Sequence, residues 1–569
     1  MVALLAQLLA IAAAPLASRA MEGRPRATTF VDATIQVVVA GTLLLHVLPE
    51  GLEAAGVPAL AALILGFTAG LSSHRIPGGR LSAEGVAVLA LAVHGLVDGA
   101  ALGVPGNTEM AWAVVLHTVP VSLAVWRLAV REQGPRLGMA LLGVTAAATA
   151  LGFAASATLT QRASVVGLGL VQCALAGVLL HVVGHLSQRP TRPWDGVGGV
   201  AGLLLLAAVP THEEHRDAAL VTFRMLALAG PWLLAAWGVV GVLHALVPAS
   251  PTTLISARSP LGSAARGAVV GLPLPLSSCG TLPVYRTLVS TGTTPSGALA
   301  FLVAGAGVGV SAIAISVPLL GPRLTLARVA AAAALGLVVG GVVGVGMRPV
   351  SGRAPLPRPR ASVGRLGEAL RYGFVETVDH MGPWLVTGLV VGGLAAVSLP
   401  ADAFTGLPEP LVVVFAAAAG LPSWVCATGA TPLVAVLLGK GLGPGAALAF
   451  LLTGPAANAS AFGLLRRLHG SRVATRFAAL VTTGAVAAGL LVDRWPPTGA
   501  PPLEPGPLGY AAAVVIAGLL AVSFVRRGPA GFAEPLLHPH HDHEPPEDHP
   551  FVRLPPRGSG PMLTLRDPR

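Results

Sequence analysis

Three cysteines occur in 569 residues, and two of them, Cys279 and Cys426, open a stretch that the chain carries twice. Residues 277–305 read SSCGTLPVYRTLVSTGTTPSGALAFLVAG, and residues 426–454 read CATGATPLVAVLLGKGLGPGAALAFLLTG. A shift of 149 positions lays Pro283, Gly292, Pro295 and Ala298 to Leu302 on Pro432, Gly441, Pro444 and Ala447 to Leu451 without a gap. The thiols are offset within the pair: Cys426 aligns with Ser277, and Cys279 with Thr428. A thiolate is a soft ligand suited to Cu(I), Zn(II) or a trivalent arsenical. The same residues also suit plain packing, with cysteine as a small hydrophobe and the glycines as helix contacts. Duplicated apolar segments broken by Pro and Gly in a membrane chain point to a transport site between the copies.

A second set of chemical residues lies in the amino-terminal half, in His46-Val-Leu-Pro49-Glu50, His94-Gly-Leu-Val-Asp98-Gly99 and His117-Thr-Val-Pro120. His94 and Asp98 are four apart and share a helix face. Imidazole and carboxylate suit Zn(II) and similar divalent ions, and such groups in apolar spans should face the bundle interior. A single histidine there is more often a hydrogen-bonded packing residue. His181 and His185 repeat the spacing near a span end, where a solvated helix end explains them equally well. The loop from Thr211 to Asp217 and the tail with His538, His540, His541, His543 and His549 are His/acid tracts. Such tracts bind divalent metal weakly or simply solubilise a terminus.

The chain that must hold these residues is 54% hydrophobic and 11% charged, with a mean hydropathy of +0.75. Apolar runs of about 20 residues, enough to cross ~30 Å of hydrocarbon as helix, recur along almost the whole length. The fold class that follows is an all-α polytopic membrane protein with 12–15 membrane segments; the alternating strands of an outer-membrane barrel are missing. A net charge of +11 reads as basic loops beside the membrane, not as a nucleic-acid surface. Three cysteines inside apolar segments, Cys173 included, make no disulfide framework.

Residues 3–18 read as a short span or a poor signal peptide, with Met21 as an alternative start. Spans follow at 31–48, 58–73, 85–103, 110–126, 138–159 and 164–186, with an acidic loop carrying Glu50 and Glu53 after the first. Basic clusters fall on one side and acidic turns on the other. A weaker span at 197–210 precedes the duplicated half. There, residues 230–248 match 382–400 at Gly-Pro-Trp-Leu and at the closing Pro, now offset by 152. Each copy is a leading span, an interrupted Cys segment, the ALAFL span and a final span. The first leading span ends near Arg258 and Arg266 and the second near Asp402 and Glu409, so the copies face opposite ways, an inverted repeat. Arg323 and Arg328 fall on the disfavoured side of that assignment. The proline before each ALAFL run is expected to break its helix.

CATGATPLVAVLLGKGLGPGAALAFLLTGPAAN at 426–458 and SSCGTLP at 277–283 resemble the two signature segments of a two-repeat permease family. That family includes organoarsenical efflux permeases and a branch assigned to copper and zinc efflux. The resemblance covers about 220–495 and carries onto Cys279, Gly280, Pro283, Cys426, Thr428, Pro432, Gly441, Gly454, Pro455 and Asn458. It departs at Ser277, where a second thiol would stand, and at Ala306 to Ser311, where a polar stretch would follow. Residues 31–187 resemble, in part, ZIP-type zinc transporters: His94, Asp98 and His117 match, while Thr118 and Val121 replace a Glu and a His. The division expected is 1–28, a short apolar terminus; 29–210, a ZIP-like helical membrane domain; 211–347, repeat one; 348–371, an Arg/Pro-rich cytoplasmic linker; 372–495, repeat two; 496–527, a last membrane helix; and 528–569, a His-rich disordered tail.

The function expected is an inner-membrane permease, with its tail cytoplasmic, exporting a soft or borderline metal ion or metalloid (Cu, Zn or a trivalent arsenical) by alternating access. Its transport pathway would use Cys279, Cys426, Pro283, Pro432, Thr428, Gly441, Gly454, Pro455 and Asn458. Metal contacts are expected at His46, Glu50, His94, Asp98, His117, His540, His541 and His543. No permanently bound cofactor is expected, the transported metal (Zn among the candidates) being cargo. The partners are the lipid bilayer, metal ions and a second copy of the chain as a homo-oligomer, with no nucleic acid. Two rival classes are a metal-sensing or metal-binding membrane partner without transport, and a membrane enzyme activating water at the His/Asp cluster. No phosphate-binding loop and no H-E-x-x-H motif occurs, which disfavours an ATP-driven pump and a zincin-like protease.

Overall fold

The computed structural model describes residues 1–43, 47–73, 79–103, 108–158, 164–185, 193–208, 213–246, 252–273, 278–347, 365–422, 425–494 and 504–537. All regular structure among these residues is helical. Among the described residues, seven helices are long and apolar enough to cross a membrane, or up to nine if each of two bent pairs counts as one span. The protein is an all-α polytopic membrane protein.

The amino-terminal half is built of α1 (Val2–Ala20), α2 (Pro25–Thr42), α3 (Leu48–Ala55), α4 (Val57–Ser73), α5 (Gly79–Leu102), α6 (Thr108–Gln133), α7 (Pro135–Ala154), α8 (Val165–His185) and α9 (Pro193–Ala208). The acidic loop expected around Glu50 is instead the short helix α3, with Pro49 in its first turn, a position where the missing N–H costs nothing. The short apolar terminus is packed: Ile11 and Ala14 of α1 are buried against Trp126 and Leu142.

The duplicated half repeats element by element. The first copy is α10 (Glu213–Leu246), α11 (Pro260–Gly271), α12 (Ser278–Ser290), α13 (Pro295–Gly307), α14 (Val310–Leu320) and α15 (Pro322–Val342). The second begins with α16, which runs from Arg365–Arg371 through the π turn Tyr372–Glu376 into Thr377–Ser398. It continues with α17 (Glu409–Gly420), α18 (Ala427–Gly439), α19 (Pro444–Ala456), α20 (Ala459–His469) and α21 (Ser471–Val492), and α22 (Pro507–Leu537) follows. Both ends of α16 lie 152 residues beyond those of α10, and every later helix of the second copy starts 149 residues beyond its counterpart. The leading helices are longer than expected. The His/acid loop is helical from Glu213, the linker is helical from Arg365, and the tail continues α22 to Leu537 past a kink at Gly528.

Close approaches at glycines fix the helix directions. In the first copy, Gly267 of α11 lies on Gly297 of α13, and Gly271 lies on Phe301 and Gly305. The two helices therefore run parallel, so α12 between them must turn back. Helices of 12 and 13 residues are about 18–20 Å long, short of the ~30 Å hydrocarbon. Thus α11 and α12 form a hairpin that enters and leaves on one face. Helices α13 and α14 bend by only 40° and together make one broken span; α19 and α20 match them at 43°. The turn joining hairpin to span needs a left-handed residue, supplied by Gly292 (φ 86) and, at the matching place, Gly441 (φ 92).

Each copy thus crosses three times: leading helix, broken span, final helix. An odd count turns the second copy over. The leading helices confirm it directly, because Gly393 meets Ala218 and Thr222 while Gly241 and Trp237 meet Ala369 and Gly373. Low numbers face high numbers, so α10 and α16 are antiparallel and the repeat is inverted. Arg328, which spoke against this assignment, is 1% exposed and lies in no loop, so the positive-inside rule does not apply to it.

The second hairpin leans on α16 through bare backbone: a Cβ on Gly388 would stand 1.7 Å from the Gly429 carbonyl oxygen. Gly388→Ala should therefore destabilise the protein by about 1–3 kcal/mol through overpacking. Gly143→Ala, with nothing within 4 Å of its Cβ, should leave the thermal midpoint in detergent unchanged.

Candidate functional site

The duplicated cysteines sit at the tips of the two hairpins. Cys279 is the second residue of α12; its side chain lies outside the described residues. Cys426 is the N-cap of α18, without a side-chain capping bond, and is 0% exposed. Its sulfur has the Thr428 hydroxyl, the Thr428 and Gly429 N–H groups and the Arg328 guanidinium as electrostatic neighbours. Thr428 is itself buried.

Pro295 and Pro444, directly before the ALAFL runs, stand at the first positions of α13 and α19, whereas Pro283 and Pro432 do not interrupt their helices. Pro283 lies inside α12 and Pro432 inside α18. Each removes one N–H from the helical ladder, and the carbonyls that lose their i+4 donor belong to Cys279 and Thr428. The real breaks fall elsewhere, before α12 and α18 and at 308–309 and 457–458. Pro455 and Gly454 lie in the buried last turn of α19. Asn458 stands at the break that follows, where its side-chain oxygen accepts from the N–H groups of Ser460 (3.2 Å) and Ala461 (3.0 Å). It is thereby the cap of α20.

Arg328 is the residue that sequence reasoning passed over. From α15 it donates Nη1 to Ser316 Oγ (2.8 Å) and Thr431 Oγ1 (3.0 Å), and Nη2 to the carbonyls of Gly307 (3.1 Å) and Ala427 (3.2 Å). The two hydroxyls pass their own protons to Ala312 O and Ala427 O, which leaves their lone pairs for the guanidinium. Gly307 is the last residue of α13, and its carbonyl is an orphan of the break. Among the described residues no carboxylate pairs with Arg328. Ser311 and Ser460, also missed, sit in the first turns of α14 and α20 with buried hydroxyls that find no partner. The shift of 149 that aligns the cysteine segments also superposes these serines, and that was the available signal.

The amino-terminal constellation comes together only in part. His94 Nε2 lies 3.6 Å from Asp98 Oδ2. A residue outside the expected set completes the group: Gln7 of α1 donates Nε2 to Asp98 Oδ2 (3.3 Å) and to Thr118 Oγ1 (3.1 Å), and its own Oε1 is buried without a partner. Glu50 is exposed on α3. His117 is on α6, its side chain outside the described residues, as are His46, His540, His541 and His543 altogether. Among the described residues no cluster of three His, Cys, Asp or Glu groups could hold a metal ion. The third cysteine, Cys173, is buried on α8 beneath α3.

With this geometry in view, the comparisons fall on the duplicated half. Residues 215–494, just under half of the chain, match the model of a family described as a predicted permease (ArsP_1). No curated protein and no solved structure matches the chain.

Gln7 makes a prediction of its own. Gln7→Leu leaves Asp98 and Thr118 without their buried donor and should cost about 1–3 kcal/mol of stability, read as a lower unfolding midpoint. Gln7→Glu should destabilise more, by placing two carboxylates together.

Proposed function

We propose that this chain is a permease that moves a soft or borderline metal ion or metalloid, of the copper, zinc or trivalent-arsenical kind, out of the cell by alternating access. The observation that carries the proposal is the antiparallel pair of hairpins, each with a cysteine at the start of its second half-helix. The permease-family match over the same residues supports a transporter over an enzyme. Broken backbone at membrane depth is tolerated only where protein buries it or a cavity needs it. Inverted repeats move substrates by rocking one copy against the other around a site at the breaks.

In this reading Cys426 is the principal thiol contact and Cys279 the secondary one. Thr428, Ser311 and Ser460 add hydroxyls, the carbonyls of Cys279 and Thr428 released by Pro283 and Pro432 add oxygen ligands, and Asn458 holds the second break in shape. Gly441 and Gly454 allow the close turns and contacts. The membrane would be the inner one, with the carboxy-terminal tail and its histidines on the cytoplasmic face, where they would collect metal. The His94–Asp98 pair with Gln7 favours one other reading for the amino-terminal half, that of a metal-binding brace to the permease.

A sensitivity and accumulation panel tests the proposal across copper, zinc, cadmium and trivalent arsenicals. Cells with the wild type should accumulate less of at least one of these, and Cys426→Ser should abolish the difference. Cys279→Ser should weaken it, and His94→Ala should leave it within about twofold. Normal export by both cysteine variants would refute the thiol pathway, and loss of export in His94→Ala alone would move the pathway to the amino-terminal half.

A further inference from the structure

Two of the places where the copies face each other are equivalent by symmetry and opposite in chemistry. One seam joins α14 and α15 of the first copy to α18 of the second; at the symmetry-related place, α20 and α21 of the second copy and α12 of the first contribute to one apolar cluster. In the first seam the facing residues are Arg328, Ser316 and Thr431, held by the bonds described above. Shifted by 149, these three positions become Phe477, Leu465 and Leu282, all within one apolar cluster and 0%, 0% and 6% exposed. Every polar member of one seam is thus replaced by a hydrocarbon or aromatic side chain in the other. Near the end of the apolar seam Tyr285 Oη and His469 Nε2 share a hydrogen bond at 2.9 Å.

We infer that Arg328 is a positioning residue that pins the Cys426 hairpin to the first copy, so that the copies move by parting the apolar seam, on the Cys279 side. Two of its four bonds run to the second hairpin, one to the carbonyl of Ala427, the residue next to Cys426. Opening this seam would strip a buried cation of its acceptors in a medium without water, which is strongly unfavourable. Among the described residues, the apolar cluster of the other seam contains no buried charge of this kind. Lipid tails are as apolar as Leu282 and Leu465, so no hydrophobic force holds it shut against lipid, and parting it gives up the neutral Tyr285–His469 bond but strips no buried charge of its acceptors. The inference refines the alternating-access reading by assigning which hairpin is fixed and which moves.

The test follows alkylation by N-ethylmaleimide of each cysteine in the full-length protein in native membranes, read by peptide mass spectrometry without any substrate. In the wild type Cys426 should react slowly. In Arg328→Met it should react roughly tenfold faster or more, the change expected from a tenfold shift in population, with Arg328→Lys in between. A triple variant, Arg328→Phe with Ser316→Leu and Thr431→Leu, copies a seam this chain already folds with and should give the same release. Cys173 serves as the control for general loosening and should be unchanged. Protection of Cys426 in either folded variant would overturn the inference, as would a parallel rise at Cys173. Because no transported species enters the readout, a failed transport panel and a failed latch are distinguishable.

Discussion

A helix that stops inside a bilayer exposes carbonyls and N–H groups where no water can reach them, and each unsatisfied group costs several kcal/mol. This chain stops its helices at such depth in both copies, at two hairpin tips and two span breaks, and the rest of the duplicated half is arranged to cover the consequences. Asn458 caps one break with its side-chain oxygen. Gly309, at the matching place in the first copy, has no side chain to do so. Instead, Arg328 reaches across from the next helix to the orphan carbonyl of Gly307. A guanidinium suits that task because its planar fork serves several acceptors at once and it remains charged when buried. It also lies at the negative end of the half-helix α13, where a cation is favoured.

The symmetry explains why one sequence motif can serve two faces of a membrane. With three crossings per copy, the second copy is inverted without any change in its local structure, and equivalent glycines make equivalent turns at Gly292 and Gly441. The departures from symmetry are then the informative positions. Arg328 against Phe477, Asn458 against Gly309, and Cys426 against Ser277 all concern the breaks and hairpin tips. A chain that kept its fold and lost its symmetry at these places has made its two hairpins chemically different.

The amino-terminal half is tied to the duplicated half by packing. Leu48, Leu52 and Cys173 share a buried cluster with Ala218, Leu394 and Leu399, which lie on or next to the two leading helices. The last helix α22 is clipped to α16 through Asp379, which accepts from Ser523 and pairs with Arg526. Within the amino-terminal half, Gln7 joins Asp98 and Thr118 into one polar patch from three helices, with Gln7 Oε1 left over. Burying a carboxylate among apolar spans requires such donors.

Much was legible in the sequence because its signals are local or repeated. Hydropathy over about 20 residues needs no tertiary knowledge to indicate spanning helices, and a constant shift of 149 aligns the cysteine segments of both copies in the sequence itself. The opposite charge flanks of the two leading spans indicated inversion, and the antiparallel α10 and α16 bear it out. What the sequence could not decide concerns where the backbone breaks and what satisfies it. Pro283 and Pro432 look like breakers in a string of letters, yet a proline in the first turns of a helix forfeits only one bond, and the helices continue through them. Arg328 reads as a loop residue by the charge rule, because that rule assumes an arginine seeks water; only the neighbouring copy supplies the acceptors that let it stay inside. Gln7 is 91 residues from Asp98, and nothing in its own segment marks it. Cys426 and Cys279 were found as chemistry by type and spacing, whereas the buried guanidinium beside the Cys426 hairpin follows from the tertiary structure, because a buried charge is tolerated only where folding assembles its partners.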